Sequence, residues 1–222
     1  MGASQEEYNF HKDLLIDRCP YFAAALKEDW NNGKDTCTLQ DAIPADFDVV
    51  AYWVYTGTLP EGILDDDDDD SDDDMSAGSS DQADENASDD AGHETLDRLL
   101  ALYKLADFLQ MHDLQNALLN EEHRLLVKEG EFYNWKGLKV FFKHDLTHTP
   151  LYRLAKDSFS EAALDKESFT FFNGDQEDVK ENAELASDLL VHIHKYHHKP
   201  ANQMEKVNTC DYHIHPDGKR CG

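Results

Sequence analysis

The sequence predicts a mostly helical α/β fold that carries a long acidic insert. Three observations lead to this prediction: apolar residues recur at helical spacing over most of the chain, one short β-like run stands among the first helices, and residues 65–90 contain 14 acidic residues with no lysine or arginine. The 222 residues include 47 acidic and 20 basic ones, a net charge of −27. The insert therefore supplies about half of the net charge.

Composition excludes several classes of function. A net-acidic chain has no global positive field to bind nucleic-acid phosphates, and anionic membrane surfaces would repel it. No apolar run reaches the roughly 18–20 residues of a membrane-spanning helix, and the N-terminus lacks a basic-then-apolar signal peptide. Four cysteines without a secretory signal do not form a disulfide framework. We expect an intracellular protein, in the cytoplasm or nucleus, with no nucleic-acid or membrane partner.

The residues before the insert alternate short helices with one strand-like piece. A helix over Asp13–Arg18 is followed by Pro20, which suits the first position of a second helix because proline lacks the N–H that is unpaired there. Thr36–Leu39 is a short β-like run. Pro44 begins another helix, and Gly57 ends it. The apolar face of that helix is predicted from residues three or four apart, Phe47, Val50, Ala51 and Val54.

The acidic insert runs from Leu64 to about Glu94. It has no aromatic or β-branched residue and no apolar period, so it cannot bury enough surface to offset chain entropy. We predict a disordered loop that folding does not require. Its function is left open among a solvated spacer, a polyanion mimic for basic partners, a weak cation sink and a phosphorylation site at Ser71. The spacing of an EF-hand calcium loop is absent.

After the insert the helical pattern is stronger. One apolar face is shared by Leu99, Leu102, Tyr103, Ala106 and Leu109. Asp113 is predicted to cap a second helix, and the short link at 110–112 makes the two helices antiparallel neighbours. Further helices are predicted over 138–143, 151–158, 161–172 and 179–197. Residues 199–222 return to loop composition.

The order of motifs over residues 8–126 resembles a BTB/POZ domain. The motifs are, in chain order, His11-Lys12 with Leu14-Leu15, Pro20-Tyr21-Phe22, Tyr55-Thr56-Gly57, and Leu105-Ala106-Asp107 with Leu114-Gln115. The part around Thr149-Pro150 and Leu151–Leu154 is similar to the helical extension of fungal BTB proteins. The resemblance implies a BTB-like domain at 1–126 that contains the insert at 64–94, a helical extension at 127–198 and a loop-like Cys/His tail at 199–222.

The resemblance also implies a fold and a function. The family packs a helical cluster on a small sheet, and its members are non-catalytic interaction modules, often homodimers, some of which are adaptors for cullin-type ubiquitin ligases. Leu26 and Glu28 would then contact a cullin, with Tyr55 and the helix bearing Phe22 as further partner contacts. A helix end with a core leucine and a solvated glutamate is the alternative. Dimerisation is left open, because only ten residues precede His11, enough for one short strand at most.

The sequence shows no catalytic signature. It contains no G-x-S-x-G, H-E-x-x-H, Walker or G-x-G-x-x-G pattern. Cys19 lies on an apolar helix face before Pro20, so we predict a buried small side chain and not a nucleophile. We therefore expect no enzyme activity.

The C-terminal tail carries a candidate metal site. Cys210, His213, His215 and Cys221 offer two thiols and two imidazoles within twelve residues, which are the ligand types and number of a tetrahedral zinc site. Their spacing, C-x2-H-x-H-x5-C, is not that of a standard zinc finger, and a frayed terminus is the alternative. Without metal we expect a mobile tail. A zinc-binding protein and an acidic-tract protein that binds basic partners are thus the alternatives to the interaction module.

Overall fold

Helices form the regular structure of the computed structural model, which describes residues 6–27, 35–40, 42–64, 87–129, 133–164, 180–196 and 204–221. The helices are α1 (Lys12–Arg18), α2 (Pro20–Ala25), α3 (Pro44–Thr56), α4 (Ala87–Phe108), α5 (His112–Glu129), α6 (Trp135–Lys143), α7 (Pro150–Leu164) and α8 (Ala183–Tyr196). Two short 3-10 turns follow, Met204–Lys206 and Thr209–Asp211.

Proline and glycine place the ends of the first helices where the sequence predicts them. Pro20 and Pro44 stand at the starts of α2 and α3. Gly57 follows α3 with φ of 71°, a left-handed conformation that glycine adopts without strain. The predicted inward face of α3 is confirmed at Phe47 and Val50, which are buried.

Helices α4 and α5 pack against each other and form the centre of the core. All five residues of the predicted apolar face of α4 are buried, and Tyr103 is fully enclosed. The chain leaves α4 through Gln110, whose φ is 58°, while the Met111 N–H donates to the Ala106 carbonyl at 2.9 Å. Helix α5 begins at His112, so Asp113 lies in its first turn and is not its cap.

The C-terminal helices form a second packed unit on this pair. Helix α6 contacts α4 and α7, and α8 packs on α7. Two helices were predicted over 151–172, but α7 runs unbroken from Pro150 to Leu164. Nothing between Ser158 and Glu161 breaks a helix, and Ser158, Phe159 and Ser160 are all buried inside it. Residues 165–172 lie outside the described residues.

The predicted sheet is wrong for the part of the chain that the structure describes. Residues 35–39 have no regular secondary structure, and no strand forms elsewhere in the described ranges. The N-terminal segment at residues 6–10 forms no strand either. That segment is engaged by α3 instead: the Tyr8 hydroxyl donates to the Pro44 carbonyl at 3.1 Å, and its ring meets Phe47 edge-on at 4.8 Å. A single four-residue run cannot build a sheet alone.

The acidic insert is bounded by ordered residues on both sides. Leu64 is buried, and α4 begins at Ala87, within the interval of 64–94 assigned to the insert. Residues 87–94, predicted as part of the disordered loop, are helical, whereas Ser71 and the rest of that prediction, at 65–86, lie outside the described residues. None of the helices described is both long and apolar enough to cross a membrane.

Candidate metal centre

The tail places its first ligand with a capped 3-10 turn. The Asn208 side chain accepts a hydrogen bond from the Cys210 N–H at 3.1 Å, which starts the turn over Thr209–Asp211. Cys210 is buried with 8% of its surface exposed. Its thiol therefore points inward from a fixed backbone, as a structural ligand requires.

A second turn returns the chain to Cys210. The sequence Pro216-Asp217-Gly218 predicts it, and Gly218 has φ of 70° while its N–H donates to the His215 carbonyl at 3.0 Å. The turn brings the Cys221 N–H within 3.2 Å of the Cys210 sulfur. The two cysteines, eleven positions apart, thus lie side by side.

The four predicted ligands lie together in the structure. One donor atom from each of Cys210, His213, His215 and Cys221 falls within 4.8 Å of every other. The Cys210 sulfur is 3.3 Å from His215 Nε2, and the Cys221 sulfur is 3.0 Å from His213 Nδ1.

These separations fit a zinc ion with small adjustments. Donor atoms about 2.0–2.3 Å from a tetrahedral zinc stand about 3.3–3.8 Å from one another. The Cys210–His215 separation of 3.3 Å already falls in that range. The longest separation, at most 4.8 Å, has to shorten by about 1 Å. The Cys221–His213 separation of 3.0 Å has to lengthen by a few tenths of an ångström, about 0.3 Å or more, to enter the range.

The lowered pKa of His213 favours the neutral imidazole that a metal needs. Burial and the neighbouring His215 lower the pKa of His213, so its ring is neutral around neutral pH. The side-chain hydrogen bond with Cys210 raises the pKa of the Cys221 thiol. A metal ion reverses that effect, because it binds the thiolate directly and displaces the proton.

Helix α5 holds the tail through three polar side chains spaced along one face. Asn116 donates to the Ile214 carbonyl at 3.0 Å and accepts from the Ile214 N–H at 2.8 Å. Asn120 Oδ1 lies 2.8 Å from His213 Nε2. One turn further, His123 Nε2 lies 2.9 Å from the Met204 carbonyl. Sequence reasoning missed all three residues.

Helix α7 holds the other side of the tail. Tyr212 is buried, and its hydroxyl donates to Asp157, which also accepts a hydrogen bond of 2.6 Å from His192 on α8. Burial and the hydrogen bond to Asp157 raise the pKa of Tyr212, so the hydroxyl remains a donor at neutral pH. The guanidinium of Arg153 lies 4.6 Å from the centre of the Tyr212 ring.

Residues 204–221, predicted as a loop-like tail, contain two short 3-10 turns joined by loop and pack on the helices. Met204, Cys210 and Tyr212 are buried, and both 3-10 turns pack on helices. Three buried side chains and a buried carboxylate acceptor offset the conformational entropy that a free tail would keep.

The predicted partner-contact residues do not share one exposed surface. Phe22 has 5% of its surface exposed and belongs to the core, so it cannot touch a partner. Leu26 is partly buried against the same core. Tyr55 is 48% exposed at the end of α3, with its ring stacked on Phe10 at 5.9 Å. Glu28 lies outside the described residues.

Cys19 has the role that the sequence predicts. It is fully buried, its thiol donates to the Leu109 carbonyl at 3.4 Å, and burial raises its pKa. Such a thiol is protonated and inaccessible, which excludes a nucleophile.

Comparison with known proteins returned no relative. No family model matches the chain, and no curated protein and no solved structure matches it either.

Proposed function

We propose that this chain is a non-catalytic, zinc-stabilised helical protein in which a metal ion closes the C-terminal tail onto the helical core. The observation that carries the proposal is the convergence of Cys210, His213, His215 and Cys221 within 4.8 Å. Two thiols and two imidazoles are soft donors, and a tetrahedral set of this kind is typical of zinc.

The ligand count supports a structural role for the metal. Catalytic zinc sites use three protein ligands and keep the fourth position for water or substrate, whereas structural sites use four. Here all four positions are supplied by the tail itself. The metal would therefore organise the chain rather than polarise a substrate.

Metal stoichiometry of the purified protein tests the proposal. We expect about one zinc per chain in the wild type and none in the Cys210→Ser/Cys221→Ser double variant, since two of four ligands are lost. The matched control is Cys37→Ser, which removes an exposed thiol elsewhere and should keep the zinc. Equal zinc in wild type and double variant, or substoichiometric zinc in both, would remove the site.

An interaction module is the second candidate, favoured by apolar side chains on the exposed face of α3. Tyr52 and Tyr55 on α3 keep 45% and 48% of their surfaces exposed, and Ile43, which directly precedes α3, keeps 58%. Aromatic side chains are enriched at protein interfaces because they offer large contact area at low entropic cost. The BTB resemblance adds a cullin adaptor role as a proposal, through Leu26 and Glu28. The four unpaired cysteines support an intracellular location.

Cullin binding at micromolar concentration tests the adaptor role. Glu28→Lys should weaken binding by reversing a charge at the interface, and Tyr55→Asp should weaken it by placing a charge on the exposed face of α3. Leu190→Asp is the matched control, because Leu190 is 69% exposed on α8, away from α3. Leu26→Ala alone is uninformative, since it also disturbs the core. No cullin binding by the wild type would remove the adaptor role.

The hypothesis of an acidic-tract protein stays a prediction. Its residues, 65–86, lie outside the described residues. Binding to a basic peptide that weakens with added salt would support it.

A further inference from the structure

We propose that Asn120 on α5 is a positioning residue of the zinc centre, which fixes the tautomer of His213 so that zinc is bound through Nδ1 of His213 and Nε2 of His215. This inference rests on the proposed zinc site. It identifies the ring nitrogens that bind the metal. It also makes α5 part of the metal centre, although α5 supplies no ligand.

The two ring nitrogens of His213 face different partners. Nδ1 lies 3.0 Å from the Cys221 sulfur, on the side of the other ligands. Nε2 lies 2.8 Å from Oδ1 of Asn120, on the side of α5. Only Nδ1 is therefore placed to reach a shared metal ion.

The hydrogen bond from His213 selects the tautomer that leaves Nδ1 free. Neutral imidazole carries one proton, and the nitrogen that binds a metal must offer its lone pair. The amide oxygen of Asn120 can only accept, so Nε2 holds the proton and Nδ1 is bare. A residue that accepts a hydrogen bond from the second ring nitrogen of a metal-binding histidine orients the ring and raises the basicity of the metal-binding nitrogen.

His215 uses the opposite nitrogen. Its Nε2 lies 3.3 Å from the Cys210 sulfur and 3.3 Å from the Cys210 carbonyl oxygen, and a metal ion bound at Nε2 would replace the contact with that carbonyl. The rings of His213 and His215 are 5.9 Å apart at their centres and tilted by 56°. Two histidines separated by one residue can thus approach one ion from different directions, because each uses a different nitrogen.

Asn116 fixes the backbone between the two histidine ligands. Its amide pairs with both the N–H and the carbonyl of Ile214, at 2.8 and 3.0 Å. Asn116 and Asn120 are four residues apart and share one face of α5. The helix therefore holds the backbone of the His-x-His segment with one residue and the ring of His213 with the next.

Nitrogen-15 NMR of the histidine rings in the zinc-loaded, full-length protein tests the assignment directly. We expect His213 to be protonated at Nε2 and metal-bound at Nδ1, and His215 to be metal-bound at Nε2. Binding of zinc by His213 through Nε2 would overturn the inference.

Three variants test the role of Asn120 with a zinc competition assay against a chromophoric chelator. Asn120→Ala should weaken zinc binding by about 10–100-fold. Asn120→Asp should restore wild-type affinity or exceed it, because a carboxylate accepts from Nε2 as well. The matched control is Asn134→Ala, which removes the helix cap that accepts from the Gly137 N–H at 2.8 Å and should leave zinc affinity unchanged.

The outcomes separate the two proposals. If wild-type protein binds no zinc, the metal site itself is wrong and this inference is lost with it. If wild type binds zinc and Asn120→Ala binds it equally well, the zinc site stands and the positioning role is wrong. If Asn120→Asp is as weak as Asn120→Ala, acceptance from Nε2 is not the cause and the inference is overturned.

Discussion

Replacing Asp157 with alanine is expected to lower the free energy of unfolding by about 3–6 kcal/mol, because it removes two hydrogen bonds to a buried carboxylate, each worth about 1.5–3 kcal/mol. The Asp157 side chain is 7% exposed and joins three parts of the chain: α7, on which it lies, His192 on α8, and Tyr212 in the tail. Its removal leaves the buried Tyr212 hydroxyl and the His192 ring without this acceptor, and an unpaired polar group in a buried site is costly.

Urea unfolding measures the loss of stability in Asp157→Ala. Asp97→Ala is the matched control. Like Asp157, Asp97 pairs with a histidine, His144 at 2.8 Å, and it pairs in addition with Lys143 at 3.1 Å. The Asp97 side chain, however, is 38% exposed. Exposed pairs contribute about 0–1 kcal/mol. A loss for Asp157→Ala no larger than for Asp97→Ala would show that the buried network does not hold the tail.

The helices could be predicted from sequence because their signals are local. Apolar residues three and four apart, a proline at the start and a glycine at the end lie within one element, and α3 shows all three between Pro44 and Gly57. The helix break predicted between 158 and 161 is wrong, because α7 runs through Ser158 and Ser160, polar residues that the structure buries.

The sheet could not be judged locally, since a strand exists only with a partner. The run at 36–39 has the right composition, but strand pairing depends on a segment distant in sequence. The expected sheet came from the BTB resemblance. In the structure, the aromatic rings of Tyr8 and Phe10 hold the N-terminal segment on Phe47 of α3, which leaves no strand for 36–39 to join within the described residues.

The clustering of the four candidate ligands was predictable from the sequence, and the residues that support them were not. The four ligands lie within twelve residues, and the turn at Pro216–Gly218 that closes them is visible in the sequence. Asn116 is 98 positions from the residue that it holds, and Asn120 is 93 positions from His213. The one available signal was a pair of asparagines, weak helix formers, four residues apart on a helix.

Zinc binding is expected to cause the largest ligand-dependent change in the free energy of unfolding. Because the metal needs the folded arrangement of the tail, zinc at about 1,000 times its dissociation constant should raise the free energy of unfolding by about 4 kcal/mol. The Cys210→Ser/Cys221→Ser variant should gain nothing. The amide of Ile214, which donates to Asn116, should also exchange its hydrogen more slowly when zinc is bound.

The stabilisation by zinc should shrink as the pH falls, because both thiols must lose a proton when the metal binds. The lowered pKa of His213 keeps its ring neutral around neutral pH, so near that pH the metal competes with protons only for the thiols. The hydrogen bond that raises the pKa of Cys221 makes the proton of this thiol harder for the metal to displace. At still lower pH, protonation of the His213 ring removes a further ligand. Unfolding with zinc and with a chelator at about pH 7.5 and about pH 5.5 measures the difference. A zinc-dependent gain that is equal at the two values would contradict coordination by thiolates and imidazoles.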